Sequence, residues 1–284
     1  MRIIRSCVRA LLPRGLRNWL RSPTKSLVWG HREAKYLFGM TERIEIRPEW
    51  SVRCHPLAYS HSYRAQMEDP DQTAEFDSFV SYCSEGMILF DIGAHFGLFS
   101  LAALHFGGIG ALAVAVDPSP AAVRIMRIQS KLNAAEHRLR ILQACVSDRV
   151  GFEDMVSVGV LADGYFVNPE KDHGPTETTR VPSTTVDHMV DQLTLIPTHL
   201  KIDVEGSEGN VLRGAEKLLT SPRPPILFLE LHNRIIGHRG GDPNRILEYL
   251  AARNYTFRSV VTREPVTRKI LLGEPTSRLV ALQS

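Results

Sequence analysis

From about residue 86 the chain alternates short apolar runs with longer amphipathic stretches, and most of the runs end on an acid. "MILFDIG", "ALAVAVD", "LRILQACVS", "HLKIDVEG" and "PPILFLELH" read as buried strands. Between them "LFSLAALHF", "SPAAVRIMRIQSKLNA", "EGNVLRGAEKLL" and "PNRILEYLAARN" read as helices. Ser119 and Asp242 stand at cap positions with Pro120 and Pro243 directly behind them. Two-sided apolar strands alternating with helices predict a mostly parallel sheet covered on both faces. Right-handed crossovers make such a sheet doubly wound, and its ligands lie beyond the carboxyl ends of the strands. Asp91, Asp117, Asp203, Glu205, Glu230 and His232 all fall at or just past those ends. "TFRSVV" and "RKILLG" are the expected closing strands.

The sequence divides into a basic amphipathic arm (1–32), a lead-in (33–85) and an α/β domain (86–284). Within the domain, residues 149–180 are irregular. Asp163-Gly164, Asn168-Pro169 and Gly174-Pro175 interrupt them, which predicts a hairpin and an exposed loop. The arm holds eight basic residues and no acid, so the net charge of +3 leaves −5 for the remainder, and nucleic-acid binding by the body is not expected. Its apolar positions Ile4, Val8, Leu11 and Leu12, then Leu16, Trp19 and Leu20, recur at helical spacing. Such a segment either lies on an anionic membrane surface or packs on the domain with its arginines in solvent. No run approaches the roughly 18 apolar residues of a membrane span. The cysteines Cys7, Cys54, Cys83 and Cys145 lie far apart, which suits a reducing compartment and argues against a zinc site. The expected location is the cytoplasm, with peripheral membrane contact through the arm as the open question.

"LFDIGAHFGLFS" is a glycine turn between a strand and a helix. The dinucleotide fingerprint is absent, because Asp91 stands where its first glycine would be. An acid there repels a pyrophosphate and attracts a cation such as the amino group of S-adenosylmethionine. Asp117 ends the next strand, where a carboxylate can accept hydrogen bonds from both hydroxyls of a ribose. Together the two acids point to an adenosine-type cofactor. Farther on, Lys201, Asp203 and Glu205 share one strand face, and Glu230 shares another with His232. Either these charges reach the open rim or Lys201 forms an internal ion pair with a carboxylate.

In this order and spacing, "LFDIGAHFGLFS", "AVDPSPAAVRIMRIQSKLN", "STTVDHMVDQL", "LKIDVEGSEGNVLRGAEKLL" and "PPILFLELH" resemble the FkbM-type methyltransferase family over roughly residues 75–257. The resemblance implies the class I methyltransferase type of Rossmann-like fold, with a doubly wound, mostly parallel seven-stranded sheet. It implies S-adenosylmethionine as cofactor and O-methylation of a hydroxyl on a sugar, glycan or polyketide-like acceptor. By this resemblance Asp91, Gly93, Ala94, His95 and Gly97 form the cofactor turn, and Asp117 with Pro118 the ribose site. Asp203 and Glu205 match the signature strand. The pair His95-Phe96 departs from the family, where an asparagine and a smaller residue are common.

A hydroxyl is a poor nucleophile until its proton is removed. His232 is the expected general base, with Glu230, Asp203 or Glu205 as orienting group or alternative base. No metal centre is assigned, although magnesium or manganese would suit these oxygen and imidazole donors. Two rival readings are a nucleotide-dependent oxidoreductase, disfavoured by the missing fingerprint, and a non-catalytic membrane-associated adaptor, disfavoured by the intact acids.

Overall fold

A computed structural model describes residues 23–157 and 177–283 of the chain. The helices expected within residues 1–22 and the loop expected between the hairpin strands lie outside the described residues. Helix α1 (Pro23–Leu37) runs from the arm into the lead-in, where Glu33 pairs with Arg124 and stands 3.7 Å from the buried His55. A hairpin follows, β1 (Glu42–Arg47) with β2 (Trp50–Cys54), and then helical turns lead into α2 (Pro70–Tyr82). Asp69 caps α2 by accepting from the amides of Asp71 and Gln72. Among the described residues no helix is long and apolar enough to cross a membrane.

The main sheet contains β3 (Ile88–Ile92), β4 (Leu112–Val116), β5 (Leu139–Leu142), β9 (His199–Ile202), β10 (Ile226–Leu231), β11 (Tyr255–Ser259) and β12 (Ser277–Gln283). Their order across the sheet is β11-β12-β10-β9-β3-β4-β5. Only β12 runs antiparallel to its neighbours, so the expected seven-stranded, mostly parallel, doubly wound sheet is what forms. The chain walks outward from β3 in one direction and from β9 in the other. The crevice between the carboxyl ends of β3 and β9 is therefore the switch point where ligands bind.

Each face carries its own core. On one, Leu89, Ala113, Ala115, Phe228 and Val280 meet α2, α3 (Leu98–Phe106) and α4 (Pro120–Leu132). The alanines of β4 and α3 let that helix lie close to the sheet. On the other, Phe90, Ile92, Leu200, Ile202, Leu227 and Leu229 meet α5 (Val186–Leu193), α6 (Glu208–Arg213), α7 (Glu216–Leu219), α8 (Asn233–His238) and α9 (Pro243–Ala251). Ser119 and Asp242 cap α4 and α9 as expected.

Three expectations are corrected. "LRILQACVS" is not one strand: the chain leaves the main sheet after Leu142, and β6 (Cys145–Val146) joins a separate three-stranded sheet with β7 (Gly151–Ser157) and β8 (Glu177–Thr184). The pairing of β7 with β8 is the expected hairpin. "EGNVLRGAEKLL" is two helices, because Gly214 turns its carbonyl to the amide of Asp187 at 2.9 Å. The Asp187 carboxylate in turn caps α7 at the amides of Lys217 and Leu218. "RKILLG" is helix α10 (Arg268–Leu272), which buries Leu271 and leaves Ile270 exposed. The closing strand is β12, whose Leu279, Val280 and Ala281 are all buried, as a strand between two cores requires.

The two halves of the sheet touch at Gly93. Its φ is +79°, and a Cβ there would lie 1.8 Å from the carbonyl oxygen of Asp203. Gly93→Ala combines a disfavoured backbone with a backbone clash, so it is expected to cost about 3 kcal/mol or more, read as a fall in the urea midpoint.

Candidate functional site

The cofactor turn follows β3 directly. The amides of Gly93 and Ala94 both donate to the carbonyl of Val116, at 2.9 and 3.1 Å, which clamps the turn to the end of β4. Asp117 then fixes it from the other side: Oδ2 accepts from the amide of His95 at 2.9 Å and Oδ1 from that of Ser119 at 2.8 Å. His95 holds φ +50°, a conformation that costs energy in a residue with a side chain. Each Asp117 oxygen retains a lone pair, and burial pushes the carboxyl up to about 7.

Asp91 is 1% exposed. Its Oδ2 accepts from Ser100 at 2.7 Å, whereas Oδ1 is buried without a hydrogen-bond partner. Burial raises its pKa, and Lys201 works against that rise. An orphaned buried acceptor beside a glycine cradle is what a donor-bearing cationic group needs.

Beyond Asp91 a charged row crosses the same sheet face. Asp91 and Phe228 are the register partners of Lys201, and Glu230 is the partner of Arg278. Lys201 is 4% exposed. Its ammonium lies 3.4 Å from Asp203 Oδ2, 3.9 Å from Glu75 Oε1 and 4.6 Å from the centre of the Phe99 ring. Arg278 closes the row, 2.5 Å from Glu230 Oε1 and 3.2 Å from Glu75 Oε2. The internal ion pair weighed from the sequence is thus present and extends into a network. Burial alone would lower Lys201 and raise Asp203, yet their attraction reverses both: Lys201 is held above its ordinary value and Asp203 below. Glu230 goes well above its ordinary value through burial and then the charges of Asp203 and Glu75.

At the rim of β10, His232 presents both ring nitrogens to acids. Nδ1 lies 2.8 Å from Glu208 Oε1, while Nε2 lies 3.4 Å from Glu205 Oε2 and 3.8 Å from Glu230 Oε1. The carboxylate that orients the ring is therefore Glu208 rather than Glu230, which is engaged with Arg278. Glu208 is fully buried, and its Oε1 also accepts from the amide of Gly206 at 2.8 Å. Burial would lower the imidazole pKa, but the Glu208 hydrogen bond and the charge of Glu205 raise it to about 9. At neutral pH the ring holds a proton, which opposes the expected role of resting general base.

A family model of the methyltransferase FkbM domain matches residues 91–258, more than half of the chain. The chain belongs to the FkbM methyltransferase family. Its sheet order and antiparallel β12 give it the class I fold of S-adenosylmethionine-dependent methyltransferases. Solved structures to which this FkbM-family protein is similar include a precorrin-6y C5,15-methyltransferase from Geobacter metallireducens, at 12% identity and a TM-score of 0.42, over 75% of this chain and 89% of that one. Another is an O-methyltransferase from Bacillus cereus in complex with SAH, at 12% identity and a TM-score of 0.45, over 78% and 82% of the two chains. Curated protein sequences give no match.

The structure of this FkbM methyltransferase brings Asp91, Gly93, Ala94, His95, Gly97 and Asp117 together in one turn-and-strand-end unit, with Pro118 leading into the Ser119 cap. Asp203, Glu205, Glu230 and His232 form the neighbouring cluster. Sequence reasoning missed Glu75, Glu208 and Arg278. Glu208 had a faint signal, since it lies three residues past Glu205 in the signature run.

The His232 pKa lies above its unfolded value. It therefore contributes stability that is complete below about pH 6.5 and lost as the pH climbs through about 9. Chelator-treated wild-type protein is expected to lose about 1–3 kcal/mol between roughly pH 6.5 and 9.5 that His232→Gln does not lose, in urea melts across that range.

Proposed function

We propose that this methyltransferase transfers the methyl group of S-adenosylmethionine to a hydroxyl oxygen of a sugar, glycan or polyketide-like acceptor. The observation that carries this reading is the pairing of two strand-end acids with a separate acid–imidazole cluster across the switch point. Asp91, with its partnerless Oδ1, would hold the amino group of the methionine moiety. Asp117 would hold the ribose, and Gly93 lets the cofactor turn pack directly against the Asp203 carbonyl, which brings the two sets of acids together. The donor supplies a methyl group already activated on a sulfonium, so the protein has mainly to align an oxygen with it. Asp203, kept ionised by Lys201, and Glu205 accept the hydroxyl's hydrogen bond and turn an oxygen lone pair toward the donor side. Glu208 and Arg278 hold His232 and Glu230 in place.

Hydrogen bonds to charged groups contribute about 1.5–3 kcal/mol each. Asp91→Asn and Asp117→Ala are each expected to weaken S-adenosylmethionine binding by about tenfold or more in calorimetry, with circular dichroism unchanged. Acceptor class is read from transfer of labelled methyl to glycans and lipid-linked sugars. A methyl ether survives mild alkali, whereas alkali-labile label would show a carboxylate acceptor and overturn the hydroxyl reading.

We further infer that the arm places the enzyme at an anionic membrane surface. Supporting this, Leu37 and Phe38, at the end of the helix that continues the arm, are 80% and 81% exposed, and Met40 is exposed beside them. Basic residues near such a surface contribute about 1 kcal/mol each. Full-length protein is expected to sediment with phosphatidylserine vesicles at low salt and to be released at high salt. Deletion of residues 1–22, which spares the Glu33 contacts of α1, should abolish sedimentation and leave methylation of a soluble acceptor intact.

A further inference from the structure

We propose that Asp203, Glu205 and His232 form a site for a divalent cation of the manganese–magnesium class. Each offers one ligand atom, two carboxylate oxygens and a ring nitrogen, and the three atoms lie within 4.8 Å of one another. The independent observation is the state of the imidazole. His232 is nine-tenths buried, and its Nδ1 is tied at 2.8 Å to Glu208, a fully buried carboxylate. A carboxylate only accepts, so Nδ1 is the donor, and Nε2 faces the cluster, where a bound ion would take the place of its proton. Metal-ligating histidines are held this way, with the second nitrogen donating to a carboxylate that sets the tautomer and raises ligand basicity.

The spacing of the cluster is compatible with a shared ion as well as with an ion pair. Nε2 and Glu205 Oε2 are 3.4 Å apart, longer than the usual N–H···O bond of about 2.7–3.2 Å. It is close to the separation of about 3 Å between adjacent ligands of an octahedral ion with bonds near 2.1 Å. Asp203 and Glu205 are both part-exposed at the rim, so an ion from solvent can reach them. Two carboxylates and one imidazole leave coordination positions for water or an acceptor oxygen, and an oxygen-rich set favours manganese or magnesium over softer ions. The ion would stand at the ends of β9 and β10, beside the crevice that Asp91 and Asp117 line. There it would lower the cost of negative charge on a hydroxyl oxygen. That catalytic use rests on the hydroxyl-transfer reading; cation binding itself does not.

The test titrates Mn²⁺ into chelator-treated, full-length protein without cofactor and follows the loss of the free-ion electron paramagnetic resonance signal. Wild type is expected to bind one equivalent at micromolar to submillimolar concentration. Asp203→Asn, Glu205→Gln and His232→Gln should each weaken binding by tenfold or more. Glu208→Gln, which changes no ligand, should weaken it by about 10–100-fold. Circular dichroism melts confirm that each variant is folded. Absence of Mn²⁺ binding by wild type at millimolar concentration, equal binding by folded variants, or binding of Zn²⁺ alone would overturn the proposal. S-adenosylmethionine calorimetry on the same samples keeps the two readings apart. Cofactor binding without Mn²⁺ binding removes the cation site alone, and Mn²⁺ binding without cofactor binding removes the cofactor reading alone.

Discussion

The ammonium of Lys201 organises the region where the two halves of the sheet meet. A lysine at that depth stays charged only if several acids surround it, and each of those acids would be costly alone. Asp91 comes from the strand beside it, Asp203 from the end of its own strand and Glu75 from α2, while the Phe99 ring of α3 covers it. One buried charge thus fixes the relative positions of four elements. It also sorts the carboxyls chemically. Asp203 is drawn below its ordinary pKa, whereas Glu230, farther along the row, goes well above. Neighbouring acids with opposed shifts take different roles at one pH.

Backbone strain complements this electrostatic frame. Both loops at the switch point contain a non-glycine residue with positive φ, His95 in one and Glu205 in the other. Each is held by a hydrogen bond to its backbone. Asp117 binds the His95 amide, the Arg239 guanidinium binds the Glu205 carbonyl at 3.1 Å, and Gly93 brings the two loops into contact through the Asp203 carbonyl. Such conformations persist only where the surroundings over-determine them. Here they aim two sets of side chains at one crevice.

The rim residues were legible because the strand-end rule is local. An apolar run of known length ending in Asp91, Asp117, Asp203 or Glu230 predicts where the acid emerges without any knowledge of the partner. Glu75 and Arg278 were not legible, since each reaches the cluster from an element whose position depends on tertiary packing. The errors in secondary structure have the same origin. Gly214 breaks a helix because Asp187, from another segment, supplies a competing cap, and the place in the sheet expected for "RKILLG" is taken by β12 with its continuous buried run Leu279-Val280-Ala281. The orientation of His232 by Glu208 also needed the fold, because a turn of positive-φ residues, not a regular strand or helix, carries Glu208 back under the ring.

These contacts imply that the FkbM-matched segment does not close its own site. The match spans residues 91–258, whereas Glu75 precedes it and Arg278 follows it. Both lie against the buried row from outside: Glu75 between Lys201 and Arg278, and Arg278 between Glu75 and Glu230. Without α2, Lys201 loses one of its acids and Phe228 loses the ring of Phe79, 4.9 Å away. Without β12, Glu230 would lose the Arg278 guanidinium from beside its buried carboxyl, and β10 and β11 would have no strand between them. A buried charge left in this way costs more than the pair ever contributed. The flanking segments are therefore part of the same charged unit, because Arg278 adds to the positive charge that draws Asp203 below its ordinary value and Glu75 links Lys201 to Arg278.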